Sequence, residues 1–123
     1  IGLLPQTVKA IGGYRKFGGS KQEAESIYTD AISLEEAGCF AIVAEMLEDT
    51  VATELARQIM PPLIGIGSGS NCEGQILVTT DLLGWSNGGV PKFVRPYVNL
   101  NKVVADGLRR YVQDVRTSKI EGK

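Results

Sequence analysis

Cys39-Phe40-Ala41-Ile42-Val43-Ala44-Glu45 is an apolar run that ends abruptly on a carboxylate. Its small and apolar residues suit a strand buried on both faces, as in a parallel sheet. A helical pattern from Gln22 to Gly38 precedes it and another from Asp49 to Met60 follows, the α–β–α alternation of a wound α/β domain. In such domains ligands meet the C-terminal ends of the strands, so Glu45 is the first candidate for chemistry. The competing reading is a carboxylate that opens the next loop or sits near the cap of the following helix.

Outward from this run the punctuation is consistent. Ser20 predicts an N-cap, with Glu23 three residues on completing a capping box. Ala24, Ile27, Tyr28, Ala31 and Leu34 recur at three- and four-residue spacing and form one apolar stripe. Gly38 is the expected stop. Asp49 or Thr50 is expected to cap the next helix, whose stripe is Val51, Leu55 and Ile59, and Pro61-Pro62 forbids its continuation. Leu63-Ile64-Gly65-Ile66-Gly67 reads as a second buried strand, and Gln75 to Asp81 as a third that again ends on a carboxylate, placing Asp81 on the same rim as Glu45. The last helix is expected from Leu100 to Val115, with Val103, Val104, Leu108, Tyr111, Val112 and Val115 opposite its charged residues.

Composition narrows the function classes. A chain of 123 residues fits one domain. A formal net charge of −1 gives no bulk attraction to nucleic acid or an anionic membrane. No apolar run approaches the ~20 residues needed to span a bilayer and no signal peptide opens the chain; a reducing, cytoplasmic-type compartment is expected, with an organelle matrix as the alternative. Cys39 and Cys72 make neither a disulfide framework nor a zinc spacing. Histidine is absent, which removes His-based triads and the commonest neutral-pH base, so any acid–base work falls to carboxylates.

Two loops invite ligand readings. Residues 7 to 20 are glycine-rich, and Arg15-Lys16 within them either meets an anion or is a solvated basic pair, with the second favoured by priors for exposed charge. Gly65-x-Gly67-x-Gly69 resembles a phosphate cradle, but no long helical pattern follows it as a dinucleotide fingerprint requires. Close backbone approach at the rim of a barrel explains these glycines better.

Ile1-Gly2 opens without a polar lead-in and reads as the end of a strand. The order is then β-(loop)-α-β-α-β-β-α, with βα spacing that fits a (β/α)8 TIM barrel, but a barrel needs eight strands and only four are expected here. The chain is therefore read as α/β, the C-terminal half of a (β/α)8 barrel spanning residues 1–123 (about strands five to eight), with the N-terminal half absent. A free-standing flavodoxin-like sheet is the alternative.

Gly2-Leu3-Leu4-Pro5-Gln6, Gly12-Gly13-Tyr14, Leu34-Glu35-Glu36-Ala37-Gly38, Ala44-Glu45 and Ile64-Gly65-Ile66-Gly67-Ser68-Gly69 occur in this order. Asn71-Cys72-Glu73-Gly74-Gln75-Ile76-Leu77-Val78 and Pro91-Lys92-Phe93-Val94 complete a series that resembles the ketopantoate hydroxymethyltransferase family from residue 1 to about residue 117. The resemblance implies a barrel enzyme that moves a hydroxymethyl group from methylenetetrahydrofolate to 3-methyl-2-oxobutanoate, giving 2-dehydropantoate for pantothenate synthesis with the help of Mg2+. It implies Glu45 as the general base, because the family's base stands at the end of its sixth strand. It also implies that the Mg2+ ligands lie in the missing half, none being carried by this chain, and that the protein is a homo-oligomer, a decamer in the family. Departures go with this. The family's histidine before Gly2-Leu3 is not in the chain, Thr80 stands where many relatives carry histidine, and the chain alone is expected to be inactive. A non-catalytic half-barrel assembly subunit is the second reading, and a nucleotide-binding domain built on Gly65 to Gly69 the third.

Overall fold

The computed structural model describes residues 9–86 and 88–119. The expected strand end at Ile1-Gly2 and the tail from Ile120 lie outside them. The chain divides into two compact units, Ile1–Ile76 and Leu77–Lys123.

In the first unit, α1 (Lys21–Glu36) starts where Ser20 Oγ accepts the Glu23 amide at 3.2 Å. The reciprocal half of the capping box is diverted: the Glu23 carboxylate accepts the Gly18 amide at 3.2 Å. Gly38, at φ 83°, ends the helix region in the left-handed conformation that glycine adopts without strain. β1 (Ile42–Glu45) follows, then α2 (Asp49–Gln58), β2 (Leu63–Ile66) and the two-residue β3 (Gly74–Gln75). The three strands form a parallel sheet in the order β1-β2-β3, with Ile42 opposite Leu63 and Glu45 opposite Ile66.

The core is one layer between this sheet and the helices. Ile27 and Ala31 from α1 and Val51, Ala52 and Leu55 from α2 pack on Ile42, Ala44 and Leu63. The other face differs from expectation. Val43 is 46% exposed and Glu45 half-buried, so β1 is buried on one side and not on both. The cause is that α1 and α2 cover the same face, leaving Val43, Glu45, Ile64 and Ile66 to the opposite side by the period-two alternation of a strand.

Three further expectations are corrected. The α2 cap is Glu48, with no side-chain cap bond, and Asp49 is the first helical residue. α2 stops at Gln58 because Ile59 is already extended ahead of Met60 and the two prolines (φ −101°, ψ 149°). The third strand does not run to Asp81. β2 ends at Ile66 and Gly67 turns away at φ 65°, so beyond the Ile76 amide bond to Gly65 there is no ladder left to join. The chain instead coils into α3 (Thr79–Leu82), with the Leu82 amide on the Val78 carbonyl, and Asp81 lies in that helix and not on a strand end.

In the second unit the segment after α3 turns back, so that the amides of Tyr97, Leu100 and Asn101 bond the carbonyls of Leu82, Leu83 and Gly84. Gly84 is required there, because a Cβ would stand 2.5 Å from the Val98 carbonyl oxygen. Asn99 caps α4 (Leu100–Arg116) by accepting the Lys102 amide at 3.0 Å. None of the residues of α4 is buried, and Leu108 and Tyr111 are about 60% exposed.

Leu55 is 1% exposed at the centre of the first core. Leu55→Ala is expected to lower stability by about 2–5 kcal/mol, the usual sum of lost transfer energy and residual cavity, read from the urea midpoint at an unchanged slope.

Candidate active site

Glu45 is the last residue of β1, half-buried on the sheet face that α1 and α2 leave uncovered. Burial pushes its carboxyl above the ordinary carboxylate range. Among the described residues it enters no ion pair. A partly desolvated carboxylate at a strand end is a candidate for acid–base chemistry.

The turn after Glu45 is held from three sides. Met46 has φ 55°, uncommon for a residue with a Cβ, and its amide bonds the Ile66 carbonyl at 2.9 Å. Phe17 adds one rung of parallel pairing, its amide on the Met46 carbonyl at 2.7 Å and its carbonyl taking the Glu48 amide at 2.8 Å. From below, the Ser68 hydroxyl donates to the Ala44 carbonyl at 2.8 Å and accepts the Leu47 amide at 3.0 Å. Sequence reading missed Ser68, taking it as one small residue in a glycine-rich rim. The signal present was a lone hydroxyl between Gly67 and Gly69, both at positive φ, a geometry that carries a side chain under the neighbouring strand.

The basic pair of the glycine-rich loop is spoken for. The Arg15 guanidinium donates to both Glu23 oxygens, at 2.7 and 3.3 Å, and lies 3.9 Å from the Phe17 ring centre. This hydrogen bonding holds the Glu23 carboxyl below the usual range. Lys16 pairs with Asp49. Both cations therefore tie the loop to the starts of α1 and α2.

The glycine run does not form a phosphate cradle. β3 follows it instead of a helix, and a Cβ on Gly69 would meet the Asp49 carboxyl carbon at 2.8 Å, so the loop packs beside a negative charge. Asp81 lies in α3 of the second unit and not at a strand end. Among the described residues no three His, Cys, Asp or Glu side chains converge, so they do not fit the Mg2+ ion that the resemblance implies. No helix among them is long and apolar enough to cross a membrane.

Comparison with known proteins adds a family. A family model described as ketopantoate hydroxymethyltransferase matches residues 1–121. The 3-methyl-2-oxobutanoate hydroxymethyltransferase of Wolinella succinogenes is 49% identical over 116 residues, which is 94% of this chain and 44% of that protein. Those of Halalkalibacterium halodurans and Prosthecochloris aestuarii are 40% and 44% identical over 123 residues, all of this chain and 44% of each relative. The chain thus spans less than half the length of the curated relatives it matches. The match takes in β1, the carboxylate at its end and both helices packed behind it, and the chain belongs to the ketopantoate hydroxymethyltransferase family.

Proposed function

We propose that this chain is the C-terminal half of a (β/α)8 barrel that transfers a hydroxymethyl group from methylenetetrahydrofolate to 3-methyl-2-oxobutanoate, with Glu45 as the general base. The observation that carries the reading is the half-buried carboxylate of Glu45 at the C-terminal end of β1, on the uncovered face of a parallel sheet. A parallel sheet is ordinarily covered on both faces, and the relatives are more than twice as long as the match. An N-terminal half supplies both the missing cover and, in this reading, the ligands of the Mg2+ that the described residues do not fit. The reading places the protein in the cytoplasm as a homo-oligomer, with the decamer of the family as the expected size.

The part assigned to this chain is proton removal. C3 of the 2-oxo acid carries a hydrogen beside a ketone. Its proton passes to the Glu45 carboxylate, and the C–H electron pair becomes the carbon–carbon double bond of the enolate. The same carbon then bonds to the methylene carbon of the folate. Both bonds of that methylene carbon to folate nitrogens break, and water supplies the oxygen of the new hydroxymethyl group. Tetrahydrofolate leaves with the two nitrogens protonated, one by the proton from C3 and one by a proton from water. Desolvation favours this, because a carboxylate with raised proton affinity is a better base nearer neutral pH. A rigid strand end keeps it in place between the two steps.

In the complete enzyme, Glu45→Gln should leave binding of 3-methyl-2-oxobutanoate intact and lower deuterium exchange at C3, followed by NMR without folate, by about 10²–10⁴-fold. Exchange at the wild-type rate with transfer lost would remove Glu45 from the proton step. The same substitution has a stability consequence of defined sign. A carboxyl whose folded-state pKa is raised opposes folding once pH exceeds its ordinary value, and does so fully above the raised value. Glu45→Gln should therefore melt higher than wild type at neutral pH, and the gap should close as pH falls below about 4, where both side chains are neutral. Assembly is tested through α4: Leu108→Asp places a charge in its exposed apolar stripe and should reduce the particle mass seen by sedimentation, with C3 exchange retained in whatever dissociated barrel forms.

A further inference from the structure

Ser68 is 1% exposed and is the one buried polar or charged residue among the described residues. Its hydroxyl hydrogen has two acceptors in range, the Ala44 carbonyl at 2.8 Å and the Ile66 carbonyl at 3.4 Å, and the shorter contact takes it. Its oxygen also accepts the Leu47 amide at 3.0 Å. Between the two tied peptide groups lie only Glu45 and Met46. Ala44 and Leu47 are both fully buried, so no water stands in for a lost hydroxyl there. Met46 in turn sits at φ 55°, a conformation that persists only when its surroundings enforce it.

We infer that Ser68 is a positioning residue for Glu45: its buried hydroxyl bridges the Ala44 carbonyl and the Leu47 amide and so fixes the direction in which β1 presents the carboxylate. This rests on the reading of Glu45 as the base. Gly67 and Gly69, at φ 65° and 80°, fold the loop so that Ser68 alone enters the core beneath the strand end. Removing the hydroxyl leaves the buried Leu47 amide unpaired and takes one bond from the Ala44 carbonyl, which keeps the rung that the β1–β2 register gives it. The Leu47 amide regains a partner through a shift of the Glu45–Met46 turn, which carries the carboxylate away from its place. A displacement on the order of 1 Å costs a catalytic group about 10²-fold in rate, while substrate binding, which does not depend on the base, is left alone.

The test uses the complete enzyme and follows C3 exchange of 3-methyl-2-oxobutanoate in deuterated water without folate, expressed per folded protein as judged by circular dichroism. Ser68→Ala should lower kcat for exchange by about 10–10²-fold and leave KM within about threefold. Because Ser68 acts through Glu45, the double variant Ser68→Ala with Glu45→Gln should be no slower than Glu45→Gln alone, a non-additivity that a general loss of structure would not produce. A wild-type rate in Ser68→Ala, an equal further loss in the Glu45→Gln background, or a raised KM with unchanged kcat overturns the inference. Should Ser68→Ala not fold, Ser68→Cys keeps a weak donor and acceptor with longer bonds. It should show a smaller fall in kcat at constant KM, and a folded Ser68→Cys at the wild-type rate overturns the inference equally. Wild-type exchange by Glu45→Gln alone would overturn the base assignment itself, a result read without reference to Ser68.

Discussion

Ile42 and Ala44 go under α1 and α2 while Val43 and Glu45 face the other way, and most of the remaining structure follows from that alternation. A strand has a period of two, so helices on one face of the sheet cover only half of its side chains. Leu63 joins the covered set in β2 and Ile64 and Ile66 join the uncovered one, in register with β1. The covered set is a proper core, with Leu47, Leu55 and Leu63 essentially inaccessible. The uncovered set is apolar apart from Glu45. A carboxylate at the edge of an apolar surface has less solvent to stabilise its charge, and burial accordingly displaces the Glu45 pKa upward.

Holding such a group costs stability, and the surrounding turn shows how the cost is contained. The hydrogen bonds nearest Glu45 run through backbone groups: Met46 to Ile66, Phe17 to Met46, Glu48 to Phe17, and the Ser68 hydroxyl to the flanking peptides. None of these uses the carboxylate itself. The main chain around Glu45 is thereby fixed by bonds that leave its carboxylate out.

The legible part of the fold was the part governed by local rules. Ser20 and Gly38 bracket α1 because capping and left-handed glycine are decided by a few neighbouring atoms, and the Val51-Leu55-Ile59 stripe is buried as its spacing required. Glu45 at a strand end was legible because a long apolar run with an abrupt charge has few other readings. What failed depended on partners distant in sequence. Leu77-Val78-Thr79-Thr80 has the composition of a strand, yet whether it pairs is decided by β2, which ends at Ile66. β-propensity describes fit to a neighbouring surface, and among the described residues no strand pairs with this segment, which coils instead. Ser68 was illegible for a related reason: a serine among glycines looks the same whether its hydroxyl meets water or a buried carbonyl, and only the tertiary fold decides.

The loop ahead of α1 separates what orders the strand end from what merely decorates it. Arg15 with Glu23 and Lys16 with Asp49 are exposed pairs, a class worth about 0–1 kcal/mol each and screened by salt. Set against them are two backbone bonds of Phe17 to the Met46–Glu48 turn, at 2.7 and 2.8 Å, and the close seat of Gly18, where a Cβ would fall 2.8 Å from Val51. Those contacts are short-range, partly buried and indifferent to ionic strength. The ion pairs and the Arg15–Phe17 stacking then serve to keep Phe17 where its backbone can pair, adding a modest restraint to a position that packing has already chosen. On these magnitudes the geometry around Glu45 is set by the main chain of Phe17 and the hydroxyl of Ser68, and the basic residues of the loop are consequences of that geometry and not its cause.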